Sequence, residues 1–384
     1  MGKNQIFIGR GKETGLKVLL VAGARPNFMK ISPIYRVSRQ FRGLDCKIVH
    51  TGQHYDHEMS QAFFDELDIP EPAYHLKAGS GSHAVQTARI MVSFEKVCEN
   101  EKPDVVMVVG DVNSTLACSI VAKKLCLKVA HVEAGLRSFD LTMPEEINRM
   151  VTDAIADYFF VTEESGVENL LREGKARYRI FFVGHVMIDN LLYQFSKLTG
   201  GRGDHFHTYP LKQTFPRYAF LTLHRPSNVD DSQTFGNIAL ALNDIAAQRP
   251  IFFPVHPRTR KRIDQFKIKF SENIVMLPPL SFTESLFLWK DAEAVITDSG
   301  GLQEETTALR KPCVTIRENT ERPVTVELGT NVLAGTKRES ILEAYLQSLE
   351  KAKRAVVPDK WDGLASQRIW QALMKEEGHA EVDR

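Results

Sequence analysis

The chain has 384 residues, with 49 lysines and arginines against 48 acidic residues, so its formal net charge is only +1. This balance excludes a strong overall field that would favour nucleic acid or a membrane surface as the partner. Hydrophobic residues make up 43% of the sequence, and the length favours two domains of about 150–200 residues each. No apolar run reaches the length of a transmembrane helix. The five cysteines have no metal-binding spacing and are typical of reduced residues in a cytoplasmic protein.

Residues 1–15 are polar and glycine-rich and are predicted to form an N-terminal tail. From residue 16 to 198, buried strands alternate with amphipathic helices. The predicted strands are Leu16–Ala24, Lys47–Gly52, Asp104–Gly110, Lys128–Glu133, Tyr158–Thr162 and Arg179–Gly184. This strict alternation predicts an α/β domain with a doubly wound parallel sheet.

The first strand runs through a Gly-Ala-Arg-Pro turn (23–26) into a helix, an arrangement that suits an anion because the first helical N–H groups point at the turn. Arg25 and Lys30 would add positive charge there. The turn is not G-x-G-x-x-G and therefore does not predict a nicotinamide cofactor. After the second strand, His54 and His57 lie three residues apart, but no third ligand has a convincing spacing, so hydrogen bonding or a structural role is favoured over a metal.

The most informative stretch is 131–149, which follows the predicted strand Lys128–Glu133 and enters a helix at Pro144. It places six charged residues of both signs around Gly135, at the edge of the sheet where open α/β sheets bind ligands. Several carboxylates among cations favour acid–base chemistry on an anionic substrate. A solvated loop before an ordinary helix would also fit this stretch. Asp111, after the strand Asp104–Gly110, joins the same predicted edge.

Glycine, histidine and proline interrupt the pattern at 199–216, which is predicted to be a linker. A second Rossmann-like domain is predicted over 217–363, and a last helix within 364–384 is expected to pack back on the first domain. In the second domain, the turn Asp298-Ser-Gly-Gly opens a helix with free amides and a hydroxyl. It is interpreted as a phosphate site, with a simple capped turn as the alternative.

Several loops together resemble the UDP-N-acetylglucosamine 2-epimerases, over roughly residues 16–335. The motifs that carry the resemblance are Gly-Ala-Arg-Pro (23–26), Thr-Gly-Gln-His (51–54), Gly-Asp-x-x-Ser-Thr (110–115), His-Val-Glu-Ala-Gly-Leu-Arg (131–137), Pro-Glu-Glu-x-Asn-Arg (144–149), Leu-His-Arg (223–225), Asp-Ser-Gly-Gly-x-Gln-Glu-Glu (298–305) and Thr-Glu-Arg-Pro (320–323). They occur in the order expected for that family.

The resemblance implies two Rossmann-like doubly wound domains facing a cleft, the glycosyltransferase-B arrangement, with the nucleotide sugar in the cleft. It implies a non-hydrolysing isomerase that removes the C2 proton, expels UDP from C1 to give 2-acetamidoglucal, and re-adds UDP to interconvert UDP-N-acetylglucosamine and UDP-N-acetylmannosamine. It also implies a homodimer in polysaccharide biosynthesis. The sequence itself indicates no metal or redox cofactor. Such chemistry needs acid–base groups on both sugar faces and cations or amides for the departing diphosphate.

Matching the motifs residue by residue gives the expected site. The catalytic residues would be Asp111, Glu133, Glu145 and His224. The substrate-binding residues would be Arg25, Lys30, Gln53, His54, Arg149, Ser299, Gly300, Gly301 and Glu305. In this assignment, His224 lies near the leaving group, Ser299 and the two glycines bind phosphate, and Glu305 accepts bonds from the ribose.

Some positions depart from the family pattern. Gln53-His-Tyr-Asp56 stands where the substrate-activated bacterial enzymes often have Gln-His-Arg-Glu, and Ser227 and Val324 stand where glutamate is frequent. Three other functions stay open on the sequence alone: a hydrolysing epimerase that releases N-acetylmannosamine and UDP, a glycosyltransferase on the same scaffold, and a nucleotide-sugar sensor. Three carboxylates and a histidine argue against the sensor, because negative charge opposes binding of a diphosphate.

Overall fold

A computed structural model describes residues 15–52, 61–201 and 203–379. The chain divides into two compact units, unit 1 (Met1–Asn190 and Asp362–Arg384) and unit 2 (Leu191–Trp361). In the part that the structure describes, no helix is long and apolar enough to cross a membrane.

Unit 1 is built on a parallel sheet whose described strands number seven. They are β1 (Leu16–Ala22), β2 (Leu44–His50), β3 (Tyr74–His75), β4 (Val105–Val109), β5 (Lys128–Val132), β6 (Tyr158–Val161) and β7 (Ile180–Phe182). The connecting helices are α1 (Arg25–Ser38), α2 (Gln61–Leu67), α3 (His83–Glu101), α4 (Asn113–Lys124), α5 (Pro144–Ile155) and α6 (Glu164–Arg172), and the division between the units falls within α7 (Val186–Thr199). The strand order is β3-β2-β1-β4-β5-β6-β7, so the sheet grows in both directions from β1.

The sheet of unit 1 is covered on both faces, which explains its unbroken apolar strands. All five residues of β4 are buried, and Leu19 and Leu20 of β1 lie in different core clusters because successive side chains of a strand point to opposite faces. One cluster includes Phe28 of α1, and the other includes Phe94 of α3. Because both faces of this sheet are buried, the sheet can present polar groups to a ligand only at the ends of its strands and in the loops that follow them.

Unit 2 repeats the design with six described strands. They are β8 (Ala219–Thr222), β9 (Ile251–Pro254), β10 (Ile274–Leu277), β11 (Val295–Thr297), β12 (Cys313–Thr315) and β13 (Asn331–Leu333). The helices are α8 (Tyr209–Thr214), α9 (Pro226–Val229), α10 (Ser232–Ala246), α11 (Pro257–Phe266), α12 (Phe282–Trp289), α13 (Gly300–Ala308), α14 (Pro323–Glu327) and α15 (Arg338–Ala352). The strand order is β10-β9-β8-β11-β12-β13, and every pairing is parallel.

The segment 199–216 differs from the predicted linker, because α8 lies within it and packs in unit 2. The Lys212 ammonium lies 3.9 Å from the centre of the Phe287 ring and donates to the Phe287 carbonyl at 2.9 Å. A Cβ at Gly203 would lie only 2.5 Å from that ring. Gly203, which interrupts the strand and helix pattern of the sequence, therefore also permits close packing against α12.

The last described helix, α16 (Ala365–Glu376), belongs to unit 1. Trp370 is fully buried and donates from Nε1 to the carbonyl of Ile34 in α1 at 2.8 Å. The carboxylate of Asp189 accepts the backbone N–H groups of Ala365 and Ser366, which start the helix. Such bonds satisfy N–H groups that have no partner inside a helix.

Both sheets have one point where the strand order reverses, between β1 and β4 in unit 1 and between β8 and β11 in unit 2. Ligands of open α/β sheets bind outside the carboxyl ends of the strands at such a point. The segments directly after these four strands contain six of the thirteen site residues predicted from the sequence, which are Arg25, Asp111, His224, Ser299, Gly300 and Gly301.

Candidate active site

In unit 1, an ion pair lies at the reversal point of the sheet. The Nζ of Lys30 in α1 is 2.6 Å from Oε2 of Glu133, which follows β5. Gly110, at the end of β4, has a φ of +71°, and a Cβ there would lie 3.2 Å from the Lys30 Nζ. The glycine thus provides both the left-handed backbone and the space in which the ammonium meets the carboxylate.

Glu133 has two unusual features. Its φ is +70°, a conformation that non-glycine residues rarely adopt and that is concentrated at functional sites. The residue is 4% exposed, and its Oε1 has no hydrogen-bond partner among the described residues. A buried carboxylate oxygen without a donor is costly unless another group completes its bonding, so Oε1 is suited to accept a proton or a hydrogen bond from a ligand.

Asp111 lies one residue beyond Gly110 and is held by a cation. Its Oδ2 is 2.6 Å from the guanidinium of Arg149 in α5, and its carbonyl accepts from Nδ2 of Asn148 at 2.8 Å. The Asp111 side chain is 28% exposed, so it remains open to a ligand. The helix α5 therefore fixes the position of Asp111 without burying it.

The two adjacent glutamates at the start of α5 have different environments. Glu145 is exposed in the first helical turn, whereas Glu146 is 1% exposed. The Glu146 carboxylate contacts Arg149 at 2.7 Å and accepts the backbone N–H groups of Ser138 and Phe139. Burial alone would raise the pKa of Glu146, but these bonds lower it below its ordinary value. Glu146 therefore holds the loop, and Glu145 is the carboxylate free to meet a ligand.

A second buried network lies beneath the loop that contains Glu133. The His131 ring is fully buried, with Nδ1 2.6 Å from Asp153 and Nε2 2.9 Å from the carbonyl of Gly110. Both neighbours are acceptors, so both ring nitrogens carry protons in this arrangement. Burial lowers the pKa of His131, but the charge of Asp153 outweighs it and the net pKa is raised. The same aspartate pairs with Arg137 at 2.8 Å and accepts from the N–H of Gly135.

The remaining predicted residues of unit 1 are Arg25, Gln53 and His54. Arg25 is exposed at the first position of α1, and its guanidinium lies 4.9 Å from the centre of the Phe63 ring. Gln53 and His54 lie outside the described residues. The positive charge of Arg25 is therefore presented at a helix N-terminus, where an anion is favoured.

In unit 2, the loop after β8 is tied to the loop after β11 through one aspartate. Asp298 is fully buried, and its Oδ2 accepts the backbone N–H groups of His224 at 2.9 Å and Arg225 at 2.7 Å. Its Oδ1 is 3.0 Å from Nδ1 of His224, whose side chain is 44% exposed. His224 is thus anchored on one side and open to solvent on the other.

Ser299, Gly300 and Gly301 form the open turn that follows. Ser299 immediately precedes α13, and its side chain makes no capping bond to the helix. A Cβ at Gly301 would meet nothing within 4 Å, and a Cβ at Gly300 would meet only the carboxylate oxygen Oε2 of Glu321, at 3.9 Å. The first N–H groups of a helix have no internal partner, so this turn presents amides and a hydroxyl to a space that accommodates an anion.

Glu305 lies one turn further along α13 and is 7% exposed. Burial and the charge of Glu304 raise its pKa to about 8. Glu304 itself is paired with Arg322 at 2.5 Å. At neutral pH, Glu305 is therefore mostly a neutral acid, which both donates and accepts hydrogen bonds.

A family model described as UDP-N-acetylglucosamine 2-epimerase matches residues 37–374 of this chain. The chain belongs to the UDP-N-acetylglucosamine 2-epimerase family. This confirms the resemblance found in the sequence and makes the protein a member of an isomerase family.

Two curated relatives of the family are similar over nearly the whole chain. A UDP-N-acetylglucosamine 2-epimerase of Methanocaldococcus jannaschii is 43% identical over 93% of this chain and 99% of its own length. A UDP-2,3-diacetamido-2,3-dideoxy-D-glucuronate 2-epimerase of Pseudomonas aeruginosa is 39% identical over 94% of this chain and 100% of its own length. Two related but different sugar nucleotides are therefore named among relatives of similar identity.

Solved structures confirm the fold class. The crystal structure of the Methanocaldococcus jannaschii enzyme in complex with UDP-GlcNAc and UDP has a TM-score of 0.80 at 41% identity, and the match covers 94% of this chain and 100% of that one. UGT2 of Phytolacca americana is only 9% identical but has a TM-score of 0.61 over 94% of this chain and 99% of its own. This second likeness concerns the fold alone and agrees with the predicted glycosyltransferase-B class.

Sequence reasoning had assigned no role to several residues that organise the site of this epimerase-family chain. They are His131, Glu146, Asp153, Arg225, Asp298, Arg317 and Glu321. Arg317 and Glu321 form a two-bond ion pair at 2.7 and 2.8 Å, and the pairing with Arg317 lowers the pKa of Glu321 to about 2. Five of these residues stand inside the quoted motifs, which was the available signal, but most of their contacts depend on chain segments far apart in sequence.

No group of His, Cys, Asp and Glu with metal-binding geometry occurs within residues 15–52, 61–201 and 203–379. His224 and His256 lie close together, with ring centres 5.9 Å apart, but they do not form such a group. Asp111, Glu133 and Glu146 are instead paired with Lys30 or Arg149.

Proposed function

We propose that this protein is a non-hydrolysing UDP-N-acetylglucosamine 2-epimerase, which interconverts UDP-N-acetylglucosamine and UDP-N-acetylmannosamine. The observation that carries the proposal is the buried carboxylate of Glu133, with one oxygen paired to Lys30 and the other without a partner among the described residues. A binding protein for a diphosphate sugar has no need for such a group, whereas proton transfer at carbon requires it.

In the proposed elimination, a carboxylate removes the proton from C2 of the sugar. The electron pair of the C2–H bond becomes the C1=C2 double bond, and the C1–O bond breaks with its electrons going to the diphosphate. The products are 2-acetamidoglucal and UDP. Glu133, Asp111 and Glu145 are the carboxylates that we assign to the proton transfers, with the cations Lys30 and Arg149 keeping two of them in place.

The second half reverses these steps, except that the proton returns to C2 on the opposite face of the sugar. A protonated carboxyl returns a proton to C2, the double bond supplies the electrons for that new bond, and a diphosphate oxygen attacks C1. Protons and electrons balance, so no redox cofactor is required. One acid–base group on each face suffices, and a set of three carboxylates in different environments can supply both.

Unit 2 would bind the nucleotide part of the substrate. The amides of Gly300 and Gly301 and the hydroxyl of Ser299 would contact phosphate, and His224 would donate to the departing diphosphate. Arg25, at the start of α1 in unit 1, would add positive charge near the diphosphate. Glu305, mostly neutral at pH 7, would bind the ribose hydroxyls.

Product analysis tests this proposal directly. The purified protein is incubated with UDP-N-acetylglucosamine, and the products are separated and identified by phosphorus and proton NMR. UDP-N-acetylmannosamine in equilibrium with the substrate is the expected result. Free N-acetylmannosamine with stoichiometric UDP would instead identify the hydrolysing reaction, and sugar transfer only on addition of an acceptor would identify a glycosyltransferase.

The identity of the sugar can be tested in the same way. The Pseudomonas aeruginosa relative is named for a diacetamido glucuronate, which carries a carboxylate that N-acetylglucosamine lacks. We propose UDP-N-acetylglucosamine as the preferred substrate because the relative with the higher identity is named for it. A larger kcat/KM for the diacetamido glucuronate nucleotide would overturn that preference.

We further propose that the protein is a homodimer. Exposed apolar side chains at Ile147, Met150 and Val151 lie one helical turn or less apart on α5, and Phe139 and Leu141 are exposed in the preceding loop. A second copy of the chain is the expected partner for this surface. Light scattering should give twice the chain mass for the wild type and the single mass for Ile147→Asp/Met150→Asp.

We also propose a cytoplasmic location. Cys98, Cys118 and Cys313 are buried as free thiols. Burial raises the pKa of each of these thiols, so they are unreactive and suited to a reducing compartment. Fractionation of cells that express the chain, with detection by antibody, tests the location.

A further inference from the structure

Asp298 links the two loops that form the candidate site of unit 2. It follows β11 directly, precedes Ser299, and is fully buried. Its Oδ2 accepts backbone N–H groups of His224 and Arg225, while its own carbonyl accepts from Nε of Arg225 at 2.9 Å. One side chain therefore sets the position of the predicted histidine relative to the phosphate turn.

The other carboxylate oxygen of Asp298 faces the His224 ring. Oδ1 lies 3.0 Å from Nδ1, but it has no well-aligned hydrogen bond among the described residues. A buried carboxylate oxygen strongly favours a donor, and Nδ1–H is the donor within contact distance. Catalytic hydrogen bonds are often poorly aligned before the ligand is bound and tighten in the complex.

The charge of Asp298 agrees with this pairing. Burial would raise the pKa of the carboxyl, but contact with His224 and the two backbone N–H groups lower it below its ordinary value. Asp298 is therefore an anion at neutral pH, although it has no exposed surface. An anion in this position is an acceptor for Nδ1–H of the His224 ring.

We infer that Asp298 is a positioning residue that holds His224 with Nδ1–H directed at its carboxylate, so that Nε2 is the nitrogen presented to the ligand. The inference rests on the proposed function, in which His224 donates to the departing diphosphate. When the ring carries its second proton, Nε2–H donates to the phosphate oxygen that receives the electrons of the C1–O bond. The carboxylate keeps the ring aligned for that step.

A neighbouring histidine provides an internal comparison. His256 lies 5.9 Å from His224 between ring centres, and its Nδ1 accepts the backbone N–H of Arg258 at 3.2 Å. The neutral form of His256 must therefore carry its proton on Nε2. Two adjacent histidines are thus expected to have opposite tautomers, because one Nδ1 faces an acceptor and the other faces a donor.

The first experiment is nitrogen-15 NMR of the histidine rings of the wild-type protein at about pH 9, well above the ordinary histidine pKa of about 6.5. The variants His224→Gln and His256→Asn identify the signals of the two rings, because each variant loses one of them. Asn is chosen at 256 because its side chain can still accept the backbone N–H of Arg258 at the start of α11. His224 should have the Nδ1–H tautomer and His256 the Nε2–H tautomer. An Nε2–H tautomer of His224 would overturn the inference, even if every variant at 298 failed to fold.

The second experiment uses Asp298→Asn. The Asn carbonyl oxygen can accept the two backbone N–H groups, which leaves its NH₂ group toward Nδ1 of His224, so the ring should change to the Nε2–H tautomer. We expect kcat to fall by about 10²-fold, in the range of positioned acid–base groups, with a much smaller change in KM. In a His224→Gln background, Asp298→Asn should cause little further loss. A full additional loss in that background would mean that Asp298 acts independently of His224.

Calorimetry with UDP separates this inference from the proposed function. Asp298→Asn should bind UDP with nearly wild-type affinity, because the turn at Ser299 remains. If the wild type does not epimerise UDP-N-acetylglucosamine, the proposed function is wrong, and the tautomer of His224 still decides whether Asp298 positions the ring. A loss of UDP binding in a folded Asp298→Asn protein would assign Asp298 to the phosphate turn and contradict the inference.

Discussion

The two units have the same strand order at their reversal points, but the polar groups placed there differ. In unit 1, the groups are charged and already paired within the protein, as in Lys30 with Glu133 and Arg149 with Asp111. In unit 2, the turn at Gly300 and Gly301 presents uncharged amides to open space, next to one anchored histidine. In the proposed function, the same architecture therefore supports acid–base chemistry in one unit and nucleotide binding in the other.

The difference follows from what each task requires. Proton transfer at carbon needs carboxylates whose charge and position are controlled before the substrate arrives, which buried ion pairs provide. Binding of a diphosphate needs donors that no protein group already occupies, which a glycine turn at a helix start provides. Mutations in unit 1 should therefore mainly reduce kcat, and mutations in the glycine turn should mainly weaken UDP binding.

The largest effect is expected for Glu133→Gln. The amide cannot take a proton from C2, so kcat should fall by about 10²–10⁴-fold. UDP affinity, measured by calorimetry, should stay close to that of the wild type. Glu173→Gln is a matched control, because Glu173 is partly exposed and pairs with Arg137 on the outer side of the buried network. Equal losses in the two variants would contradict a special role for Glu133.

The adjacent residues Glu145 and Glu146 are expected to have different roles, Glu145 in catalysis and Glu146 in stability. Glu145→Gln should lower kcat without changing the melting temperature, because the side chain is exposed. Glu146→Gln should lower the free energy of unfolding by about 1–3 kcal/mol, since it weakens bonds to Arg149 and two backbone N–H groups in a buried site. Thermal unfolding and steady-state kinetics on both variants measure this contrast. The reverse pattern would show that Glu146 is the catalytic residue.

Gly301→Val tests the binding role of unit 2. The new side chain would meet no protein atom near its Cβ, so the fold should be retained while the open space is filled. We expect UDP affinity to fall by about tenfold or more, which corresponds to about 1.4 kcal/mol. Gly236→Ala in α10 is the control, since a Cβ there also meets nothing and alanine favours a helix. If Gly301→Val bound UDP normally, the turn would not be a phosphate site.

The smallest effect concerns Glu305 and the dependence of stability on pH. Its pKa is about 8 in the folded protein against an ordinary value of 4.5, so between these pH values the folded state binds the proton and the unfolded state does not. Stability therefore falls as pH rises through this range, by at most about 1.4 kcal/mol per pH unit from this group. Glu305→Gln should be more stable relative to the wild type at pH 8.5 than at pH 5 in thermal melts. A constant difference would show that Glu305 is ionised throughout.

The strand and helix alternation of both domains could be predicted from the sequence, because long buried strands such as β4 have unmistakable apolar runs. The predicted strand Lys47–Gly52 lies instead at Leu44–His50, and β3, β10 and β13 were not predicted. These three strands lie at the edges of their sheets and have at most one buried residue each, so they are not strands buried on both faces like β4.

The motifs of the candidate site could be predicted from the sequence, but the contacts between its residues could not. The pattern Pro-Glu-Glu does not show which glutamate is buried, since that depends on the loop at Ser138 folding back on α5. The role of Asp298 depends on His224, which lies 74 residues earlier in the chain. Such pairings arise from the crossing order of the strands, which local sequence patterns do not determine.

The central claim is that the carboxylates of unit 1 exchange the C2 proton of a nucleotide sugar. The most direct test is proton NMR of UDP-N-acetylglucosamine in D₂O with the wild type and with Glu133→Gln. We predict that deuterium enters C2 with the wild type as UDP-N-acetylmannosamine accumulates, and that Glu133→Gln binds UDP but exchanges C2 far more slowly. No exchange with the wild type, or exchange at the wild-type rate with Glu133→Gln, would contradict the claim.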